Sequence, residues 1–198
     1  MNFSIATIHL AGISPLSHSR QHDEPMLERE SHEAYDKRTW RSKLNVATVN
    51  GKQTVVIPAH AMHQAIAAAA KYSKRQIPGQ GKATWTAKFL SGIALLSDPV
   101  LNIDPATVKP ITISANADGV RGSGKRVPRI FPQILEWETT FDCHILDPII
   151  TEPVFKEMLE IAGMFVGLGR FRAEKGGTNG RFKMVSLTWQ DNRQAVAA

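Results

Sequence analysis

The sequence predicts an α+β fold: one antiparallel sheet with both helices on the same face, in the order β-α-β-β-α-β. Three observations lead to that prediction. Residues 58–73 and 151–166 place apolar side chains at the spacing of helices buried along one side. Residues 2–10 and 134–146 read as strands, with apolar and β-branched side chains at alternate positions. Glycine- and proline-bearing breaks separate these elements and leave them in the order of a ferredoxin-like, RRM-like sheet.

Taken in order, residues 2–10 put Phe3, Ile5, Thr7 and His9 on one face and Ile8 and Leu10 on the other, a pattern for burial on both sides. Gly12 and Pro15 end this strand. Residues 17–43 are dense in charges of both signs, contain Pro25 and lack periodicity, so they read as an insertion or a mobile excursion. Asn50-Gly51 is a hairpin signal, and β character returns at residues 53–57. Pro58 opens a helix with Met62, Ile66, Ala69 and Tyr72 as its apolar stripe and His60, Gln64, Lys71 and Lys74 in water. The alanines at 67–70 favour helix and allow close packing.

Residues 89–96 predict a second strand, which 100–103 extend. Residues 105–132 form a second insertion with a short strand at 109–114. The best strand of the chain is 134–146, with Leu135, Trp137, Thr139, Phe141 and Cys143 on one side. Thr151 caps the second helix, Pro153 sits in its first turn, and Val154, Met158, Ile161 and Phe165 form its stripe, flanked by Phe155, Leu159 and Ala162. Gly167 and Gly169 stop it, and residues 182–189 close the sheet. The chain is thus one domain, 1–198, with insertions at about 17–43 and 105–132.

A chain of 198 residues, 42% hydrophobic, can bury one substantial core. A net charge of +6 favours an acidic partner, nucleic acid before an anionic membrane. No apolar run approaches the ~18 residues of a membrane span, and no basic segment followed by an apolar block opens the chain. A cytoplasmic protein is expected, with no membrane partner. Cys143 is the single cysteine, which excludes internal disulfides and cysteine-rich zinc sites.

The most informative segment follows the second helix. Gly167, Gly169, Gly176, Gly177 and Gly180 are interspersed with Arg170, Arg172, Lys175, Arg181 and Lys183, against Glu174 alone. Glycines let a backbone approach another closely, and free N–H groups beside guanidinium groups suit a chain of phosphates. The competing reading is a mobile, solvated connection. Further cations gather at the end of the first helix (Lys71, Lys74 and Arg75) and in the second insertion (Arg121, Lys125, Arg126 and Arg129). Arg20, Arg38, Arg41 and Lys43 lie in the first insertion, and His60 stands near a helix start, where it can reach phosphate. Trp40, Phe131 and Phe171 are candidate stacking platforms for bases, against packing on the sheet as the plainer role.

Two segments resemble the RAMP superfamily, the fold shared by subunits of CRISPR effector complexes. Val55-Val56-Ile57-Pro58-Ala59-His60-Ala61-Met62-His63-Gln64-Ala65-Ile66 is similar to the Ile-Pro opening of the first helix in guide-RNA backbone subunits. It departs from them at Gln64, where glycine is usual, and at His60 and His63, where serine and lysine are common. Residues 167–182 resemble the superfamily's glycine-rich loop, and Leu10-Ala11-Gly12-Ile13-Ser14-Pro15-Leu16 resembles the end of its first strand. The resemblance implies a subunit that binds a guide RNA along its sheet face, lines up with copies of itself in a filament and presents the guide to a complementary RNA or DNA target. Residues 17–43 would then be the thumb-like projection.

Neither a metal nor a cofactor is expected. His60 and His63, or His18 and His22, give two ligands each where a zinc site needs four. Asp23 and Asp36 are the acids that metal-assisted cleavage would use, but the surrounding carboxylates and cations read as a solvated loop, so no catalytic residue is assigned. Two alternatives remain. One is a metal-independent guide-processing endoribonuclease using His18, His22 or His60 as base; the other is a phage-type single-strand DNA-binding protein.

Overall fold

In the computed structural model, residues 3–116, 124 and 126–192 are described. The strands are β1 (Phe3–Gly12), β2 (Leu16–Ser17), β3 (Val46–Val49), β4 (Lys52–Val55), β5 (Ile93–Ala94), β6 (Lys109–Asn116), β7 (Arg126–Ile134), β8 (Glu138–Ile145) and β9 (Phe182–Asn192). The helices are α1 (His32–Thr39), α2 (Ala59–Ser73), α3 (Thr86–Ser91) and α4 (Glu152–Ile161).

The main sheet has the order β5-β8-β1-β9, and every neighbouring pair in it is antiparallel. Its inner face holds Ala6, Ile8 and Leu10 of β1, all fully buried, with Phe141 and Cys143 of β8 opposite Ile8 and Ala6. α2 and α4 cover that face; Phe155 of α4 meets Trp189 of β9 at 6.0 Å between ring centroids. The architecture is therefore α+β. The outward side chains of β1 are only half-buried, so burial on both faces does not hold among the described residues.

The α2 stripe is as expected at Met62, Ile66 and Ala69, and the α4 stripe is rotated from Val154, Ile161 and Phe165 onto its flank. α2 buries Met62, Ala65, Ile66, Ala69 and Ala70, and α4 buries Phe155, Met158 and Leu159, with Ala162 and Val166 following in a π-helical turn. Tyr72 and Phe165 lie outside these stripes, half-exposed, and stack on each other at 5.3 Å. Small alanines on α2 let α4 sit close, which turns the larger side chains to the flank.

Two strand expectations change. Phe89 belongs to α3, not to a strand, because its ring fills the space beside Phe155 at 6.3 Å and is fully buried; only β5 remains of the 89–96 strand. Most of the 134–146 run is β8, and Trp137, Thr139, Phe141 and Cys143 are buried on one side as expected, while Ile134 is the last residue of β7. β7 joins β2 and β6, β8 joins the main sheet, and Leu135 in the turn between them is exposed. Asn50 and Gly51 make the expected hairpin turn between β3 and β4, both at positive φ.

The first insertion is ordered rather than a mobile excursion. Ser31 caps α1 by accepting from Ala34 N at 3.2 Å, and a 3₁₀ turn follows at Trp40–Lys43. Its anchor is Asp36, which is 1% exposed. Asp36 pairs with Lys43 Nζ at 2.7 Å and Arg129 Nε at 2.8 Å, and accepts from Ile130 N at 3.3 Å. Lys43 donates in turn to Ile130 O at 2.8 Å. A polar segment without apolar periodicity is held by buried charge, which hydrophobic patterning does not register.

Candidate nucleic-acid interface

A cleft of ≈ 810 Å³ opens where three segments meet: the chain leaving β2, the start of α2, and the glycine-rich loop. Arg20, His60, Arg170, Arg172 and Lys175 line it, together with Phe171 and the apolar floor of Leu16, Ile57 and Leu168; among the described residues no carboxylate does. The two segments singled out in the sequence for their RAMP-like spelling thus face each other across one cavity. The N-terminus of α2 adds the positive end of a helix dipole, with Ala59 N capped by Asp98 Oδ1 at 2.7 Å.

The loop is a folded element, not a solvated connection. Leu168 N donates to Gly180 O at 3.0 Å, Asn179 N to Phe171 O at 3.0 Å, Gly180 N to Pro15 O at 2.8 Å and Arg170 N to Ser17 O at 2.7 Å. Gly169 (φ +71°) and Gly180 (φ +71°) make these approaches possible: a Cβ on either would strike the carbonyl oxygen of Ser17 or Leu168. Most amides of the loop are consumed in this way, so its side chains, rather than free N–H groups, face the cleft.

Arg170 is the best-placed cation. Its guanidinium lies 4.2 Å from the Phe131 ring centroid and 4.8 Å from that of Phe171, and its Nη1 donates to Ser19 Oγ at 3.3 Å. Burial, then the nearby Arg129, lower its pKa. Its Nε has no hydrogen-bond partner among the described residues. Phe171 is held at φ +58° and half-exposed, open to the cleft. Phe131 is 3% exposed and serves as the floor beneath Arg170, not as a stacking platform.

The other sequence candidates are dispersed or engaged. Lys43 and Arg129 are bound to Asp36, and burial lowers the Lys43 pKa despite that partner. Arg38 is taken by Glu24 and Glu30, Arg75 by Glu157, and Arg172 by Glu174 at 2.9 Å, which Lys175 approaches to 3.4 Å. Arg41 lies over the Trp40 ring at 4.4 Å and donates to Pro105 O. Lys71 and Lys74 are exposed at the far end of α2 from the cleft, and Arg126 donates to Ser114 O in the β6–β7 hairpin. Arg181 donates to Met164 O at 3.1 Å. Lys183 lies on β9 opposite Ala11. Arg121 and Lys125 fall outside the described residues.

The open face of the main sheet does not have the charge expected of an RNA platform. Its register positions include Glu138, Asp142, His9, His144, Thr188 and Gln190, and Lys183 at one end is the only cation among them. Glu138 lies 3.4 Å from His9, and Asp142 accepts from Thr7 at 2.6 Å. The cations gather at the end of the sheet instead.

Sequence reasoning undervalued Lys175 and missed the polar lining of Ser19, Gln21 and Asn45, which have no spacing signal. His18 lines the cleft but is 3% exposed, and burial lowers its pKa to about 4. Its Nδ1 accepts from Asn45 N at 3.3 Å, which fits a neutral ring. Asp36, the acid considered for metal-assisted cleavage, is enclosed by Lys43 and Arg129. Among the described residues no three His, Cys, Asp or Glu side chains converge as metal ligands, and no helix is long and apolar enough to cross a membrane. Burial pushes the Cys143 thiol up to about 12.

No family model matches this chain, and no curated protein does. Among solved structures it is similar to a chain of a type III-B Cmr-beta complex bound to cognate target RNA, at 11% identity and a TM-score of 0.44 over 96% of this chain and 61% of that one. It is similar to Cmr6 from Pyrococcus furiosus at 13% identity and a TM-score of 0.47, covering 92% of this chain and 98% of that one. A third likeness, to a chain of a CRISPR RNA-guided surveillance complex, has 11% identity and a TM-score of 0.43 over 91% and 66% of the two chains. These likenesses do not assign the chain to a family.

Proposed function

We propose that this chain is an RNA-binding subunit of an RNA-guided assembly, holding a single-stranded guide across the cleft between the glycine-rich loop and the start of α2. What supports the reading is the convergence there of Arg20, His60, Arg170, Arg172 and Lys175 with, among the described residues, no carboxylate in the lining. Such a site attracts sugar-phosphate by charge and offers Phe171 as a surface for one base. The antiparallel order β5-β8-β1-β9 of the main sheet supports a ferredoxin-like reading, as does the RAMP-like spelling of the two facing segments. On this reading the guide runs along the end of the sheet, since Glu138 and Asp142 repel phosphate from its open face.

The role is binding rather than catalysis. Burial holds His18 in the cleft wall far below neutral, which makes it a poor general base. The endoribonuclease alternative through His22 or His60 is tested by metal-free cleavage of a hairpin RNA, where cutting that His60→Ala abolishes overturns the binding role. The partners are then the guide, a complementary RNA or DNA target and further copies of the chain, in a cytoplasmic ribonucleoprotein. The test is recovery of the protein at low salt, followed by extraction and sequencing of bound nucleic acid. Short RNA is the expected outcome. A nucleic-acid-free protein that binds no single-stranded RNA at low salt overturns the reading, and preference for single-stranded DNA transfers it to the DNA-binding alternative.

A further inference from the structure

Arg20 and Arg170 differ from the other cations of the cleft in having no acidic partner. Arg172 and Lys175 share Glu174, whereas neither Arg20 nor Arg170 makes an ion pair among the described residues. Backbone contacts hold both on one wall. Arg170 N donates to Ser17 O at 2.7 Å, Arg20 N donates to Lys43 O at 2.9 Å, and Ser19 Oγ, from the same short segment, accepts from Arg170 Nη1 at 3.3 Å. Behind them Lys43 and Arg129 have one counter-ion, Asp36, whose oxygens they and the Ile130 amide already take. Burial and then Arg129 disfavour the charge on Arg170. Positive charge is thus in excess at one point of the cleft rather than spaced along it.

The rest of the cleft has the size and character of a nucleoside site. Its ≈ 810 Å³ lies in the range of pockets that enclose one small ligand. Leu16, Ile57 and Leu168 offer apolar surface, Phe171 a half-exposed ring, and Asn45 a side-chain amide. A phosphate inside a strand carries one charge, and its site must be open at two ends for the chain to enter and leave. A phosphate monoester at the end of a strand carries about −1.5 to −2 at neutral pH and presents three acceptor oxygens. Two unpaired guanidiniums at one point match the second.

We propose that the cleft takes a terminal nucleotide bearing a phosphate monoester, with the monoester between Arg20, Ser19 and Arg170 and the base on Phe171 over the apolar surface. A strand then starts or stops in the cleft instead of passing through it. The proposal deepens the RNA reading and rests on it for the source of the nucleotide, the end of a strand. A free nucleoside monophosphate has the same chemistry and is the other source.

The test is filter binding of one single-stranded RNA sequence in four forms: linear with a 5′-phosphate, linear with a 3′-phosphate, linear with hydroxyls at both ends, and closed into a circle. One of the two phosphorylated forms is expected to bind about ten-fold tighter than the hydroxyl form and the circle, through charge-assisted bonds to its extra charge. Arg20→Ala and Arg170→Ala are each expected to remove that preference, and thermal melts check that both variants are folded. Adenosine monophosphate with its phosphate at the same position is expected to displace the phosphorylated RNA, and adenosine is not. A circle that binds as tightly as either phosphorylated form overturns the proposal and leaves the RNA reading standing. So does an equal gain from either phosphate, or a preference that survives both substitutions. Failure of every RNA to bind overturns the RNA reading. If adenosine monophosphate still binds by calorimetry, the monoester site stands with a free nucleotide as its ligand; if it does not, both fall.

Discussion

Arg170 is held in the cleft by its backbone and its side chain together. The N–H is fixed on Ser17 O, and the guanidinium rests on Phe131 and Phe171. Removing the charge with Arg170→Ala is expected to weaken single-stranded RNA binding and to lower the slope of log K against log salt by about 0.7, the value of one phosphate contact. Arg170→Lys keeps the charge, and hence the slope, but loses the planar contact with the rings, so its affinity falls without a change in salt dependence. Filter binding across a salt series separates the two. Gly169→Ala acts on the same spot from beneath, since its Cβ would strike Ser17 O at a φ of +71°. A loss of about 1–3 kcal/mol in denaturant unfolding is expected, with weaker RNA binding. His18 sets a pH dependence. Its folded pKa of about 4 lies below the ordinary 6.5, so the unfolded chain takes up the proton first as pH falls. Stability is therefore full above pH ~6.5 and declines toward pH ~4 by about 3 kcal/mol in all. Thermal melts over that range check the slope, which His18→Asn is expected to remove.

At the scale of elements, the first insertion depends on one carboxylate. Asp36→Ala leaves Lys43, 6% exposed, without its counter-ion, and a loss of about 3–5 kcal/mol is expected in chemical denaturation. Replacing Asp36→Leu with Lys43→Met is expected to recover only part of that loss, because Lys43 is no longer stranded while Arg129 and the Ile130 amide still lose their partner. Period was enough to find β1, α2, α4 and β9, since each presents a continuous apolar face to one core. It failed where elements serve two surfaces or none. Residues 134–146 alternate without interruption, yet only Glu138–Ile145 pairs in the main sheet; Ile134 ends β7, and Trp137 at the turn donates to Ser14 O at 2.9 Å. Residues 32–39 have no apolar face at all and fold on an ion cluster completed by Arg129, some 90 positions away in sequence.

For the whole molecule, the cleft supplies a countable charge. Arg20, Arg170, Arg172 and Lys175 contribute four positive charges, and Glu174, paired with the last two, removes one, leaving three. Single-stranded RNA bound there by one copy is expected to show a salt slope of about −2. A much steeper slope would enlist cations outside the cleft, such as Lys71 and Lys74. The sequence made the glycine-rich loop and the Ile-Pro helix start visible, because both have a spelling. That they face one another, and that Arg38, Lys43 and Arg129 hold the protein together instead of facing solvent, depends on contacts between segments far apart in the chain, which local pattern does not encode.

Carboxylates on the open sheet face and guanidiniums at its end give the protein an electric polarity of its own. In dilute salt a passing polyanion exerts a torque on such a body before any atom touches, turning the arginine end forward and the Glu138 side away. Capture would then begin already oriented, and added electrolyte would slow the encounter as well as loosen the bound state.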